Sequence, residues 1–547
     1  MSVIDTPSAR PFKLTLCAAL MGVTLLGSGG SLFATQAQAA DAYTQLPELI
    51  NHLKQDVSRD RLNFAGSGGV APYGVTVHAS QLLPLLKNSY TATDIATLKS
   101  VTANSRTIAV LDKPWGTFVQ AASFESAEMG ASTNYDAIWV RDSVWAYLAL
   151  NASADTRSQA KRVLLTLVDY MATPDQIGRM KAVIAKPSLL DGADGQMAAV
   201  HIRFDADSAQ FADVTIDGKP QSWSHKQNDA LGLLLDAVVT AVERGEISPA
   251  ELQSKQRMSA LVYLVAYLDA AKFYQMGDSG AWEEDVRLNT SSVALVTSAL
   301  ENLQRALKGQ KAGSAGFAGA FLDKARELGL AKPLSEPHLA ELVNKGYQLI
   351  NRQLQAGGES PSYARNDSRY RTADAALLNL IYPARLSRLS LEQKLKVMEI
   401  VRPLVGDFGI RRYANDSYQS ANFWFRHIKT DVDEESFVVR NTRFVPGSEA
   451  QWFFSSWYAK DWLMLYRETN NPDHLGEAVK FTNQSLAQLT GHEAIGADGK
   501  PVKAFALPES YNLIADKGIL WEVPSPIIPL NWSKASMTLM FEEYRGL

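Results

Sequence analysis

One cysteine, Cys17, is all that the 547 residues contain. It lies in the first apolar stretch, so the chain beyond it has no thiol for a disulfide, a thiolate zinc site or a cysteine nucleophile. The eight histidines are scattered without ligand spacing. Neither an H-E-x-x-H zinc motif nor a G-x-x-x-x-G-K-[ST] phosphate loop occurs. No metal and no cofactor is therefore expected. Basic excess is missing too. There are 54 Lys and Arg against 58 Asp and Glu, a formal net charge of −4, and no positive field invites nucleic acid. Past the N-terminus no apolar run reaches the ~18–20 residues of a membrane span, so no membrane anchor is expected in the mature chain. No Pro- or Ser-rich linker divides the chain, and no strict repeat runs through it.

What is present begins with a leader. Arg10 and Lys13 precede the apolar stretch Leu14 to Leu26, which is too short for a good span, and Ala37-Gln38-Ala39 forms an A-x-A cleavage site. Residues 1–39 read as a signal peptide, with a mature chain from Ala40 that is periplasmic or secreted. Bulky Leu16 before Cys17 speaks against a lipoprotein cysteine. Residues 40–547 are read as a single domain.

Helical periodicity dominates that domain. Leu164, Leu167, Val168 and Met171 mark one apolar face, and Leu231, Leu234, Leu235, Val238 and Val242 another, closed by Gly245. Val296, Leu300, Leu303 and Leu307 mark a third. Ser390 and Gln393 form a capping box before Leu391, Leu395 and Met398. Further helices are expected near 46–56, 91–104, 255–275, 335–354, 372–381, 450–468, 473–489 and 531–545. Strand signals are local, over 196–217, where Val200, Ile202 and Phe204 alternate ahead of Asp217-Gly218, and over 424–445. About a dozen helices without a domain break predict an all-α toroid with small β-hairpin excursions.

The connecting loops carry the chemistry. Trp139-Val140-Arg141-Asp142-Ser143, Trp223 to Asp229, Trp282-Glu283-Glu284-Asp285, Arg411 to Tyr418 and Leu507-Pro508-Glu509-Ser510-Tyr511 concentrate Trp, Arg, Gln and carboxylates. Gly277-Asp278-Ser279-Gly280 matches a serine-protease loop over four residues only, in a chain of the wrong fold class. Glycosidic hydrolysis needs a carboxylic acid to protonate the leaving oxygen and a second carboxylate to activate water or attack the sugar. Glu283, between Trp282 and Glu284, has the setting for a raised pKa. Each feature also has a plainer reading. W-E-E is commonly a solvated acidic loop. Arg141 and Asp142 serve equally as a structural ion pair, Trp223 as core, Gln227 and Asp229 as helix caps, and Glu509 as an exposed loop acid. Glu449 reads as a helix N-terminal acid and is left out of the catalytic set.

Taken in order, these segments resemble glycoside hydrolase family 15, the glucoamylase family, and the related barrel region of phosphorylase kinase regulatory subunits. Tyr135 to Asp142 is similar to the family's W-x-R-D segment. Trp223 with Gln227 and Asp229 resembles its second substrate segment. Trp282-Glu283-Glu284 with Asn289 to Ser292 resembles its general-acid segment, and Leu507 to Tyr511 with Pro529 to Ser533 its general-base segment. The resemblance implies an (α/α)6 barrel and inverting hydrolysis, with Glu283 as general acid and Glu509 as general base. Trp139, Arg141, Asp142, Trp223, Gln227, Asp229, Trp282 and Glu284 would contact an oligosaccharide or polysaccharide substrate. It implies release of glucose from α-linked gluco-oligosaccharides. A glucosidase for α-1,6 or other linkages, a trehalase, and a non-catalytic carbohydrate-binding or regulatory barrel stay open. A lyase or epimerase would need a His or Tyr base in place of paired glutamates. His225-Lys226 and the segment Arg411 to Tyr418 depart from glucoamylases, the latter toward the phosphorylase kinase side. Neither an N-terminal β-sandwich nor a starch-binding module is expected, which favours soluble oligosaccharides.

Overall fold

The computed structural model describes residues 51, 53–54, 60–123, 135–418 and 447–547, apart from 193, 217, 310–311, 315, 493, 497–499 and 517–518. The expected signal peptide and the strand signal at 424–445 lie outside the described residues, as does most of the helix expected near 46–56.

Six segments form a closed inner ring. They are Val140–Asn151, Asn228–Glu243, Thr290–Leu307, the short 3-10 helix Ala375–Leu380, Ser455–Thr469 and Asn531–Glu543. Each packs on the next, and the last returns to the first. An outer layer covers them: Arg157–Met171, Arg257–Ala270, Glu336–Ala356, Leu391–Val401 and Pro472–Ala487, with Ala103–Arg106 against the last inner helix. This is the (α/α)6 barrel expected from the sequence.

The two layers differ in sequence for a physical reason. Outer helices bury one face only. In Glu336–Ala356, Leu339, Leu342, Val343, Gly346 and Ile350 are buried at helical spacing. Inner helices are enclosed on most sides, and Asn228–Glu243 buries nearly every residue. Small residues set the closest approaches. A Cβ on Gly232 would stand 2.6 Å from the Val296 backbone nitrogen, and one on Gly346 would meet the Thr297 hydroxyl. Both glycines therefore let neighbouring helices touch backbone to backbone or backbone to side chain. The large apolar side chains between the layers supply roughly 1.5–3 kcal/mol each on burial.

Local signals that the sequence carried are realised. Gln393 N donates to Ser390 Oγ at 3.2 Å, and Ser390 N to Gln393 Oε1 at 3.0 Å, the reciprocal pair of a capping box. Gly245 takes φ +71° just past Asn228–Glu243.

Other expectations need correction. Trp139 to Ser143 is not a loop: it enters the inner helix Val140–Asn151, with Asp142 in the first turn, where a carboxylate suits the helix dipole. The stretch 196–217 is not one hairpin. Arg203 and Phe204 pair with Trp139 and Ile138, whereas the turn at Gly218 joins the separate strands Thr215–Ile216 and Lys219–Pro220. Near 372–381 the chain forms only the 3-10 helix Ala375–Leu380, capped by the Asp374 side chain, and Pro383 follows closely.

Candidate active site

The inner helices carry their site residues at one end. Five of the six begin beside one: Trp139 precedes Val140–Asn151, Gln227 precedes Asn228–Glu243, and Asp374 precedes Ala375–Leu380. Strand Gln451–Trp452 leads into Ser455–Thr469, and Leu530 into Asn531–Glu543. The loop 280–289 leads into Thr290–Leu307. Around this end lies a pocket of about 770 Å³, its open mouth included. Tyr135, Trp139, Trp223, Trp282, Trp452 and Trp532 supply aromatic walls, and Asp142, Glu283 and Glu509 border it with carboxylates.

The loop that carries Glu283 is fastened at both ends. Ser279 N donates to Lys226 O at 2.7 Å, and Asn289 Nδ2 to Asp278 Oδ1 at 2.8 Å. Asp278 also accepts from Asn228 N, tying the loop to the neighbouring inner helix. Burial pushes the Asp278 carboxyl up to about 7. After the 3-10 turn Gly280–Trp282, Glu283 takes φ +60°, a left-handed conformation that costs a non-glycine residue on the order of 1 kcal/mol or more. Its consequence is a split: Glu283 borders the pocket while Glu284 points into a buried ion network.

Glu283 is held loosely. Trp139 Nε1 and Arg141 Nη1 each stand 3.4 Å from its carboxylate. Arg141 itself is held tightly. Its Nε donates to Asp229 Oδ2 at 2.7 Å, its Nη2 to Gln227 Oε1 and to Gly280 O at 3.2 Å. Gln227 and Asp229, expected to touch sugar, are therefore not among the pocket-lining residues; they reach the pocket through Arg141. Asp142 does border the pocket. Burial raises its carboxyl to about 7, against the pull of Arg141 and with a further push from Glu283.

Glu284 is likewise absent from the pocket wall. Its carboxylate accepts from Arg412 Nη2 at 3.1 Å, from Arg371 Nη2 at 3.2 Å and from the Tyr413 hydroxyl. Arg412 also makes a two-bonded pair with Asp416, at 2.6 and 2.8 Å. Trp282 Nε1 donates to Asp374 Oδ1 at 2.8 Å, so the indole has one edge in the network and its ring at the pocket.

Glu509 directly precedes the strand Ser510–Asp516, which lies between Gln451–Trp452 and Ile519–Pro524. Tyr135 Oη donates to Glu509 Oε1 at 2.8 Å and stands 3.1 Å from the Tyr418 hydroxyl. Burial raises the Tyr135 phenol well above its ordinary range, so it stays a donor. Glu283 and Glu509 thus enter one pocket from segments 226 residues apart in the chain, the separation being 509 minus 283.

Several lining residues escaped the sequence reading. Arg203 stacks its guanidinium 3.5 Å from the centre of the Trp223 ring, which itself meets Trp139 edge-on. Its only signal was its place opposite the apolar face of Val200, Ile202 and Phe204. Tyr418 and Arg412 sat in a polar cluster already noted, without a role. Trp452 and Phe453 carried no local signal, because they reach the site only when the barrel closes. Glu449 is buried and accepts from Asn415 N at 3.1 Å; it does not line the pocket.

Known proteins fit this picture. The "Uncharacterized lipoprotein YgeQ" of Escherichia coli (strain K12) is 49% identical over 207 residues, 38% of this chain and 78% of the relative. The "Putative protein YgeP" of the same strain is 42% identical over 102 residues, 19% of this chain and all of the relative. A solved glycosidase in complex with glucose superposes with a TM-score of 0.52 at 16% identity, covering 83% of this chain and 99% of its own, which supports the fold. The family description "Glycosyl hydrolases family 15" matches residues 96–517, more than three quarters of the chain. The chain belongs to glycoside hydrolase family 15.

Proposed function

We propose that this glycoside hydrolase is exported and releases glucose from α-linked gluco-oligosaccharides with inversion, Glu283 acting as general acid and Glu509 as general base. The observation that carries the reading is that two carboxylates from separate segments border one aromatic pocket. Glu283 protonates the glycosidic oxygen. Glu509, oriented by the Tyr135 hydroxyl, takes a proton from water as the water attacks the anomeric carbon from the other face. Trp139, Trp223 and Trp282 contact the apolar faces of sugar rings, and Asp142 accepts from a hydroxyl. Arg141 holds Glu283, while Gln227, Asp229 and Glu284 act one step back from the sugar by fixing Arg141 and the turn.

The mature chain starts near Ala40 on this reading. The relative's name as a lipoprotein favours a second reading, in which Cys17 carries a lipid anchor. N-terminal sequencing of the exported protein separates the two: Ala40 supports cleavage, and a blocked, lipidated Cys17 supports the anchor. The catalytic reading is tested by screening the mature chain on α-1,4, α-1,6, α-1,3 and α,α-1,1 glucosides, with Glu283→Gln as control. Anomer-resolved NMR of the first product reads the stereochemistry, and a retained configuration rules out inversion.

A further inference from the structure

Arg287 is a buried cation whose binding edge meets no partner among the described residues. The side chain is 3% exposed, yet neither Nε nor Nη2 meets a hydrogen-bond acceptor among the described residues. These two nitrogens form the side-on fork of a guanidinium, which takes two acceptor atoms or one shared one. Elsewhere in the protein the same fork is filled. Arg412 presents Nε and Nη2 to Asp416 at 2.6 and 2.8 Å, and Arg257 presents them to Asp169 at the same distances. For Arg287 the nearest carboxylate atom in an ion pair is Glu284 Oε2, 3.8 Å from Nη1 and beyond hydrogen-bond reach.

The neighbours make this arrangement costlier. Burial and the nearby Arg371 work against the Arg287 charge while Glu284 and Asp374 favour it, and Arg371 spends its own Nη1 on Asp374 and Nη2 on Glu284. Glu284 is shared with Arg412 and Tyr413. Arg287 has no freedom to swing away at its backbone, which is bridged to Asp278 through two hydrogen bonds of 2.9 and 3.0 Å. The loop after Ser360 is tied to the adjoining residues: Tyr363 Oη accepts from Leu288 N at 3.0 Å, and Ser360 pairs with Arg371. A buried donor pair left without an acceptor is destabilising, more so on a charged group.

We propose that the Nε/Nη2 fork of Arg287 binds a small monovalent anion of halide size. A side chain only 3% exposed is closed to a large ligand, so the occupant is small. Its charge accepts both N–H groups at once and offsets the repulsion from Arg371, which a neutral water does less well. The anion then leaves Glu284 to Arg371, Arg412 and Tyr413, and so firms the back of the turn that carries Glu283.

The direct experiment is a bromide soak of crystals of the whole mature chain. The expected result is an anomalous peak beside Nε and Nη2 of Arg287. A crystal with bromide elsewhere, and only water or nothing at that fork, overturns the proposal. In solution, thermal unfolding is compared in sodium chloride and sodium gluconate at equal ionic strength. The wild type gains about 1–2 °C in chloride, saturably, and Arg287→Gln gains nothing. Equal melting temperatures for the wild type in the two salts, or the same gain in the variant, also overturn it. Because the soak and the wild-type comparison need no variant, a poorly folding Arg287→Gln does not blunt the test.

Discussion

On the pocket side of the Trp282–Glu284 turn, Asp142, Glu283 and Glu509 border open space; behind it, Glu284 and Asp416 are each gripped by arginine and Asp374 by Arg371 and Trp282. Adjacent residues fall on opposite sides of this line. Glu283 has two contacts at 3.4 Å, whereas Glu284 sits in a network of closer bonds with two arginines and a phenol. The difference separates function from stability. Glu283 at the pocket is the loosely contacted carboxylate of the turn, and its neighbour Glu284 is bonded within the protein. Substitutions on the two sides should therefore fail in opposite ways.

The largest effect is expected in front. Glu283→Gln and Glu509→Gln each lower turnover by several orders of magnitude, with melting temperature and circular dichroism unchanged within error. Wild-type-like rates in either variant would remove that residue from the mechanism. Behind the turn the pattern inverts. Glu284→Gln leaves Arg371 and Arg412 with an uncharged partner, and unfolding measurements should record a loss on the order of 3 kcal/mol. A variant as stable as the wild type, with only KM altered, would put Glu284 in the pocket instead. Tyr135→Phe tests the base side alone. Losing one hydrogen bond to Glu509 should cost roughly tenfold in kcat/KM, or about 1.4 kcal/mol, at little cost in folding. An unchanged rate across the whole pH profile would show that the phenol does not orient Glu509.

How much of this was legible depended on which periodicity each residue obeyed. Outer helices such as Glu336–Ala356 were readable because one buried face leaves a 3.6-residue stripe. The inner helix Val140–Asn151 was missed because its first turn carries Arg141 and Asp142, which look like a loop. Glu283, Glu509 and the three tryptophans stood in dense polar–aromatic segments and do meet at one pocket. Gln227, Asp229 and Glu284 stood in the same segments, yet they lie one layer back. A helix start and a left-handed turn decide which neighbour faces the pocket, and neither leaves a mark in composition. Arg203, Trp452 and Phe453 join through strand pairing and ring closure, long-range events that no local pattern records.

Asp142 offers the finest test of the division, because it places a stability cost on the pocket side. Among the described residues no side chain donates a hydrogen bond to it; Arg141 spends its donors on Asp229, Gln227, Gly280 and Glu283. Burial raises its folded-state pKa to about 7, while an unfolded Asp titrates near 3.9. The folded protein thus holds this proton more tightly than the unfolded chain. Its contribution is fully present below about pH 4 and is lost as pH rises toward 7. The integrated loss is at most about 4 kcal/mol, and less if the pocket admits water. Asp142→Asn removes the titration. The variant should be as stable as the wild type or less so at pH 4, and more stable at pH 8, while hydrolysing substrate poorly at both. Parallel stability curves for the two proteins between pH 4 and 8 would mean that Asp142 is solvated or paired in the folded state. The boundary between loosely held front and bonded back would then pass in front of Asp142 and leave Glu283 on the open side.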